Sequence, residues 1–183
     1  MSDTVNDTRI RPGGIRIRPG GPPDASAILA MLDSAVAWMN DRGNTEQWGT
    51  TLWSNRPDGV ARVERYAAEL EPFIAELEGR PAGALVLGSG PAPQMPIARA
   101  EEPEVYVRLL VSDRRCAGRG IGAALLARAA DEARRAGVDL LRVDCWAGGG
   151  GELVAFYERC GFTPTDSFMH GDWPGQVLAM RVG

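Results

Sequence analysis

The stretch "RRCAGRGIGAALL", residues 114–126, sets three arginines and three alternating glycines at the mouth of an apolar helical pattern. A helix leaves its first four N–H groups without internal partners, and its dipole places about half a positive charge at that end. Glycines remove the Cβ atoms that would keep an anion off those amides, and Arg114, Arg115 and Arg119 add charge beside them. The chemistry on offer is a phosphate cradle. The same glycines would also serve a tight turn and close helix–sheet contact, and spacing alone does not separate the two uses.

Context narrows the phosphate ligands. A P-loop needs GxxxxGK[ST], and this chain contains no lysine. Gly118, Gly120 and Ala123 satisfy a loose GxGxxA dinucleotide pattern, with Asp144 at a tempting distance on the next strand. Yet the six residues "SDRRCA" separate the strand end at Val111 from Gly118, whereas a dinucleotide-binding strand runs almost straight into its first glycine. Only 39 residues follow Asp144, too few to complete a doubly wound domain.

The elements that must hold this turn are legible from periodicity. A strand at 15–18 leads to Asp24, an N-cap for a helix whose Ile28, Leu29, Leu32, Ala35, Val36 and Met39 repeat close to every 3.6 residues. A loop with two tryptophans and a helix near 58–68 follow, then two strands around the turn at 78–81. The Pro- and Ala-rich connection "GPAPQMPIARAEEP" is too irregular for an element. A strand at 104–111, the glycine turn, a helix to about 136 and the strand "VDLLRVDCW" come next. The quartet Gly148 to Gly151 opens a last helix, which Gly161 stops, and closing strands follow. The expected order is βααβββαβαββ, in one domain over 15–183 behind a flexible tail at 1–14.

Over about 60 residues, the glycine turn, the helix ending "AGV", the strand "LLRVDCW" and the helix "AFYERCGF" together closely resemble the acetyl-CoA-binding core of the GCN5-related N-acetyltransferases, the GNAT family. The resemblance implies an α/β fold with a mixed, mostly antiparallel sheet flanked by helices and with splayed central strands. It implies acetyl-CoA as cosubstrate, no metal, and direct attack by an amine in a ternary complex. Leu110 and Val111 would contact the pantetheine arm, and the amides of Ala117, Gly118, Arg119, Gly120, Ile121, Gly122 and Ala123 would hold the pyrophosphate, with Arg115 nearby. Tyr157 matches the tyrosine that protonates or hydrogen-bonds the departing thiolate, and Glu104 falls where one branch of the family keeps its catalytic glutamate. Two positions depart from the pattern: Ala117 replaces an Arg or Gln, and Gly150 replaces an Asn that bonds the pantetheine.

The acceptor implied is a primary amine, preferably of a small molecule, with a protein N-terminus or lysine as the alternative. A noncatalytic acyl-CoA-binding sensor is the second alternative. An acidic mouth from Asp41, Glu46 and the glutamates 101, 102 and 104 would suit a cation. With 20 basic against 24 acidic residues and a net charge of −4, a nucleic-acid partner is not expected. No run approaches the ~18 apolar residues of a membrane span, the start lacks a signal peptide, and three cysteines without CxxC spacing read as free thiols. These features point to a soluble cytoplasmic protein; monomer and homodimer both remain open.

Overall fold

The structure, a computed structural model, describes residues 10–11 and 14–183 of the 183-residue chain. Its strands are β1 (Ile10–Arg11), β2 (Ile15–Pro19), β3 (Glu71–Leu77), β4 (Arg80–Gly88), β5 (Glu104–Ser112), β6 (Leu140–Trp146), β7 (Thr163–His170) and β8 (Trp173–Arg181). The helices are α1 (Ala25–Asp41), α2 (Pro57–Glu69), α3 (Ile121–Arg135) and α4 (Glu152–Arg159). From Ile15 onward this is the expected order. Most of the expected tail lies outside the described residues, but Ile10–Arg11 is not tail: it pairs with Arg16 and Ile15.

All eight strands form one sheet in the order β1-β2-β3-β4-β5-β6-β8-β7. Every neighbouring pair is antiparallel except β5 with β6. The doubly wound alternative would require a parallel sheet. The turn expected at 78–81 is a tight hairpin in which Glu78 and Gly79 both take positive φ, 51° and 75°.

The sheet is covered on both faces. On one, α3 lays down Ile121, Leu125, Leu126, Ala129, Ala130 and Ala133 against Leu85, Leu87, Val107 and Leu141, and Tyr157 and Phe162 join the same core. Each fully buried Leu or Ile stabilises this packing by about 1.5–3 kcal/mol. On the other, α1 buries Ile28, Met31, Leu32, Ala35, Val36 and Met39 against Ile74, Ala84 and Val111. The apolar stripe read from the sequence is the buried stripe, with Met31 added and Leu29 at its margin. Gly83 lets α3 descend: a Cβ there would meet Ile121 Cγ2 at 2.5 Å and Leu125 Cδ1 at 3.0 Å.

Candidate active site

The glycine turn is built from below by Asp113. Its buried carboxylate accepts from the Arg115 backbone N–H at 2.9 Å and from the Arg115 guanidinium at 2.6 Å, which holds Asp113 below the usual carboxylate range. The Arg114 N–H donates to Ser34 Oγ on α1 at 3.3 Å. Beyond this pinned turn, Gly118 and Gly120 take left-handed φ of 77° and 75°, and a Cβ at either would meet nothing within 4 Å. That open space, at the start of a 15-residue helix, fits the phosphates of a carrier approaching the backbone. The arginines divide their work differently from the sequence expectation. Arg114 stacks on Trp38 at 3.7 Å, sharing the ring with Arg42, and Arg115 is committed to Asp113. Arg119 is exposed and forms no ion pair among the described residues.

The splay is also present. Parallel pairing of β5 with β6 runs from Glu104↔Leu140 to Val107↔Val143 and stops, although β5 continues to Ser112 and β6 to Trp146. A notch therefore opens in the middle of the sheet, with Leu110 and Val111 on its β5 side. On the other flank of β5, Val86 pairs with Leu109 and Leu87 with Val107, so Arg108 is a bulge residue. Val105, Val107 and Leu109 alternate with Glu104, Tyr106 and Arg108 until "LLV", a break that either a bulge or a strand end buried on both faces would leave, and the structure has a bulge, at Arg108. Its effect is to turn Arg108 and Leu109 to the same face: Leu109 packs with the α1 cluster, and Arg108 reaches α2.

That face carries a polar group the sequence reading largely missed. Arg108 Nη2 donates to Tyr66 Oη at 3.1 Å, with the guanidinium 4.9 Å from the Tyr66 ring centre. Tyr106 Oη donates to Asp144 Oδ1 at 2.7 Å. Burial raises the Asp144 carboxyl above its ordinary range, against the pull of the Tyr106 bond, Arg108 and Arg142. Burial and Asp144 together push the Tyr106 phenol up as well, so it remains a donor.

The structure gives Glu104 a different task from the one expected. It receives Arg142 through Nε at 2.5 Å and Nη2 at 2.8 Å, with only 3% and 11% of the two side chains exposed. Ala100 N–H donates to Glu104 at 3.4 Å and Arg142 Nη2 to Ala98 O at 3.0 Å, so the pair anchors the connection ahead of β5. Both oxygens of this carboxylate are engaged by the guanidinium, in the two-pronged geometry of a structural anchor. Glu102 is likewise engaged, with Arg181 at 2.6 Å. Two of the five acids expected to line an acidic mouth, Glu102 and Glu104, are thus paired with arginines.

Tyr157 is buried on α4, edge-on to Phe156 and Phe162 with ring centres 5.3 and 5.7 Å apart. Burial pushes its hydroxyl far up, so it is a protonated donor at neutral pH. Ahead of α4, Gly149, Gly150 and Gly151 all take left-handed φ, so the side chain missing at Gly150 belongs to a backbone that side chains rarely tolerate. Gly148 and Gly149 lie against the Trp146 indole, whose N–H is buried without a partner. Across the opening, Trp173 Nε1 donates to Gln47 O at 2.8 Å, tying the start of β8 to the loop after α1. His170 ends β7, exposed. A shallow depression of about 430 Å³ between β3 and α3, lined by Pro72, Phe73 and Arg128, shares no residue with the notch.

A mostly antiparallel sheet parted at its one parallel pair, with a glycine-lined helix start after the parted strand, is the class of fold that the resemblance implied. The acetyltransferase (GNAT) family profile matches residues 41–162, and the chain belongs to that family. Similar solved structures include an acetyltransferase of the GNAT family from Listeria monocytogenes, 23% identical, TM-score 0.67, covering 94% of this chain and 98% of the other. The ribosomal-protein-alanine N-acetyltransferase of Brucella melitensis is 24% identical, with TM-score 0.60 and coverages of 90% and 98%. yncA of Salmonella typhimurium, solved with its cofactor acetyl-CoA, is 19% identical, with TM-score 0.64 and coverages of 92% and 94%. At these identities the likeness concerns the fold. No curated protein matches the sequence. Among the described residues no helix is long and apolar enough to cross a membrane.

Proposed function

We propose that the chain transfers the acetyl group of acetyl-CoA to a primary amine of a small molecule. The observation that carries this reading is that β5, whose pairing with β6 stops at Val107 and Val143, runs on to the open left-handed turn at Gly118 and Gly120. The amides from Ala117 to Ala123 and the exposed Arg119 would hold the carrier's phosphates, and Leu110 and Val111 would flank its arm. Arg115, tied to Asp113, shapes the turn. Acetyl-CoA supplies an activated acetyl thioester.

An alkyl ammonium near pKa 10.4 must first lose a proton, which costs about 4–5 kcal/mol at pH 7. The amine nitrogen then bonds to the acetyl carbon as the carbon–sulfur bond breaks. Sulfur takes one proton and the new amide sheds one, so the transfer releases one proton overall. Tyr157, kept protonated by burial, is the donor to sulfur. Trp173 Nε1 donates to Gln47 O, tying β8 to the loop after α1, and a rim closed by such a bridge would suit a compact acceptor better than an extended peptide.

The test is thiol release from acetyl-CoA over a panel of primary amines, with peptides bearing free N-termini or lysine alongside. Turnover of small amines, with kcat falling ~10²-fold or more in Tyr157→Phe, supports the reading. Tight CoA binding without turnover of any amine refutes it in favour of a noncatalytic carrier-binding domain.

A further inference from the structure

Arg108 has no carboxylate within ion-pair distance among the described residues, although Asp144 stands near enough to feel its charge. The bulge sends its side chain into the partly buried acceptor face, and Gly88 makes room for the stem: a Cβ there would stand 3.1 Å from Arg108 Cγ. Its one hydrogen bond is to a neutral phenol, Tyr66, and its Nε is buried with no acceptor. Among the described residues it forms no ion pair, although neighbouring Arg142 takes a full carboxylate. Native proteins satisfy buried donors, so a guanidinium with a buried, unfilled Nε and no carboxylate bonded to it points to a missing anionic acceptor.

Asp144 supplies the complementary group. Arg108 and Asp144 are the first residues past the last parallel pair, Val107↔Val143, one on each side of the notch. Asp144 Oδ1 is occupied by Tyr106 and no side chain bonds Oδ2 among the described residues. Two residues beyond, on the same face of β6, the Trp146 indole N–H is a second buried donor without an acceptor. The face thus offers two unsatisfied donors, one of them charged, around one carboxylate with an open oxygen.

We propose that the acceptor is an amino acid, its carboxylate docked on Arg108 and its amine received by Asp144. This rests on the amine acetylation proposed above. A planar fork of N–H donors matches a carboxylate in a two-pronged bond, and the zwitterion brings the opposite charge to each wall. Asp144 is then the group that takes the proton from the ammonium. A neutral amine would leave Arg108 unpaired, and sites built around such a bond reject the analogue lacking it strongly.

The experiment compares kcat/KM for each of the twenty α-amino acids, and for β-alanine, with the corresponding carboxamide and decarboxylated amine. The wild type should favour at least one acid over its neutral counterparts by ~10²-fold or more. Arg108→Met, which keeps the stem, should raise KM for that acid ~10–100-fold, and at least about tenfold more than it raises KM for the corresponding neutral amine. Arg108→Lys should recover part of the loss. Calorimetric binding of the acid to the CoA-loaded protein should weaken in parallel, whatever the variant's turnover. Turnover of neutral amines alone, or equal loss on acid and amide in Arg108→Met, overturns the amino-acid assignment and leaves acetyl transfer standing. Absence of turnover on the whole panel and on the wider amines overturns both.

Discussion

Replacing Glu104 by glutamine separates an anchor from a base. The wild-type carboxylate meets Arg142 through two contacts, 2.5 and 2.8 Å, with 3% and 11% of the side chains exposed. Removing one partner of such a buried pair costs about 3–5 kcal/mol, and the glutamine oxygen recovers about 1–1.5 kcal/mol by keeping one hydrogen bond to the guanidinium. The net loss is roughly 2–3 kcal/mol. For a slope near 2 kcal/mol/M the urea midpoint should fall by about 1–1.5 M, and Tm should drop by roughly 4–12 °C. Tryptophan fluorescence during urea unfolding reads the first quantity, and kcat/KM against pH reads the other role. The expected result is a lowered midpoint with the pH profile unmoved. An unchanged midpoint together with loss of the acidic limb of the profile would refute the anchoring argument and restore Glu104 as the proton acceptor.

Gly83→Ala should push the first turn of α3 off the sheet, because the new methyl meets Ile121 and Leu125; it should cost about 1–3 kcal/mol in chemical denaturation and weaken CoA binding measured by calorimetry. Asp144→Asn should stabilise the fold at neutral pH by about 0.5–2 kcal/mol while lowering kcat/KM ~10²-fold or more. The sign follows from its carboxyl being raised in the folded state: wild-type stability falls as pH climbs from the ordinary carboxylate value through the raised one, and the asparagine variant lacks that slope in Tm against pH.

The glycine turn, α3 and the order of elements from Ile15 were legible because each is a local pattern: a 3.6-residue stripe, a run of residues without Cβ, a stop at Gly161. The polar face was not, because it depends on register. Glu104 meets Arg142, and Tyr106 meets Asp144, across 38 positions of sequence, and only the parallel pairing of β5 with β6 brings them together. In the sequence Asp144 stands out only for its distance from a GxGxxA pattern, which belongs to a sheet the chain does not form. Arg108 looked like an ordinary polar residue in strict alternation, and its reassignment needed the bulge, for which the sequence signal was the broken period two residues later. The extra strand at Ile10–Arg11 was invisible because two residues carry no periodicity.

The seam in the sheet has a mechanical consequence. Within the sheet, strands β1 to β5 and strands β6 to β8 are joined by four residue pairs, braced by the side-chain links Glu104–Arg142 and Tyr106–Asp144 at the same end. The two halves therefore resemble the arms of tweezers, riveted by backbone at one end and at the other linked by the Trp173–Gln47 hydrogen bond in place of a ladder. An extended molecule lodged between the tips supplies the missing rungs of the ladder, so occupancy should stiffen the whole sheet and raise its resistance to unfolding, by mass action, on both sides of the gap at once.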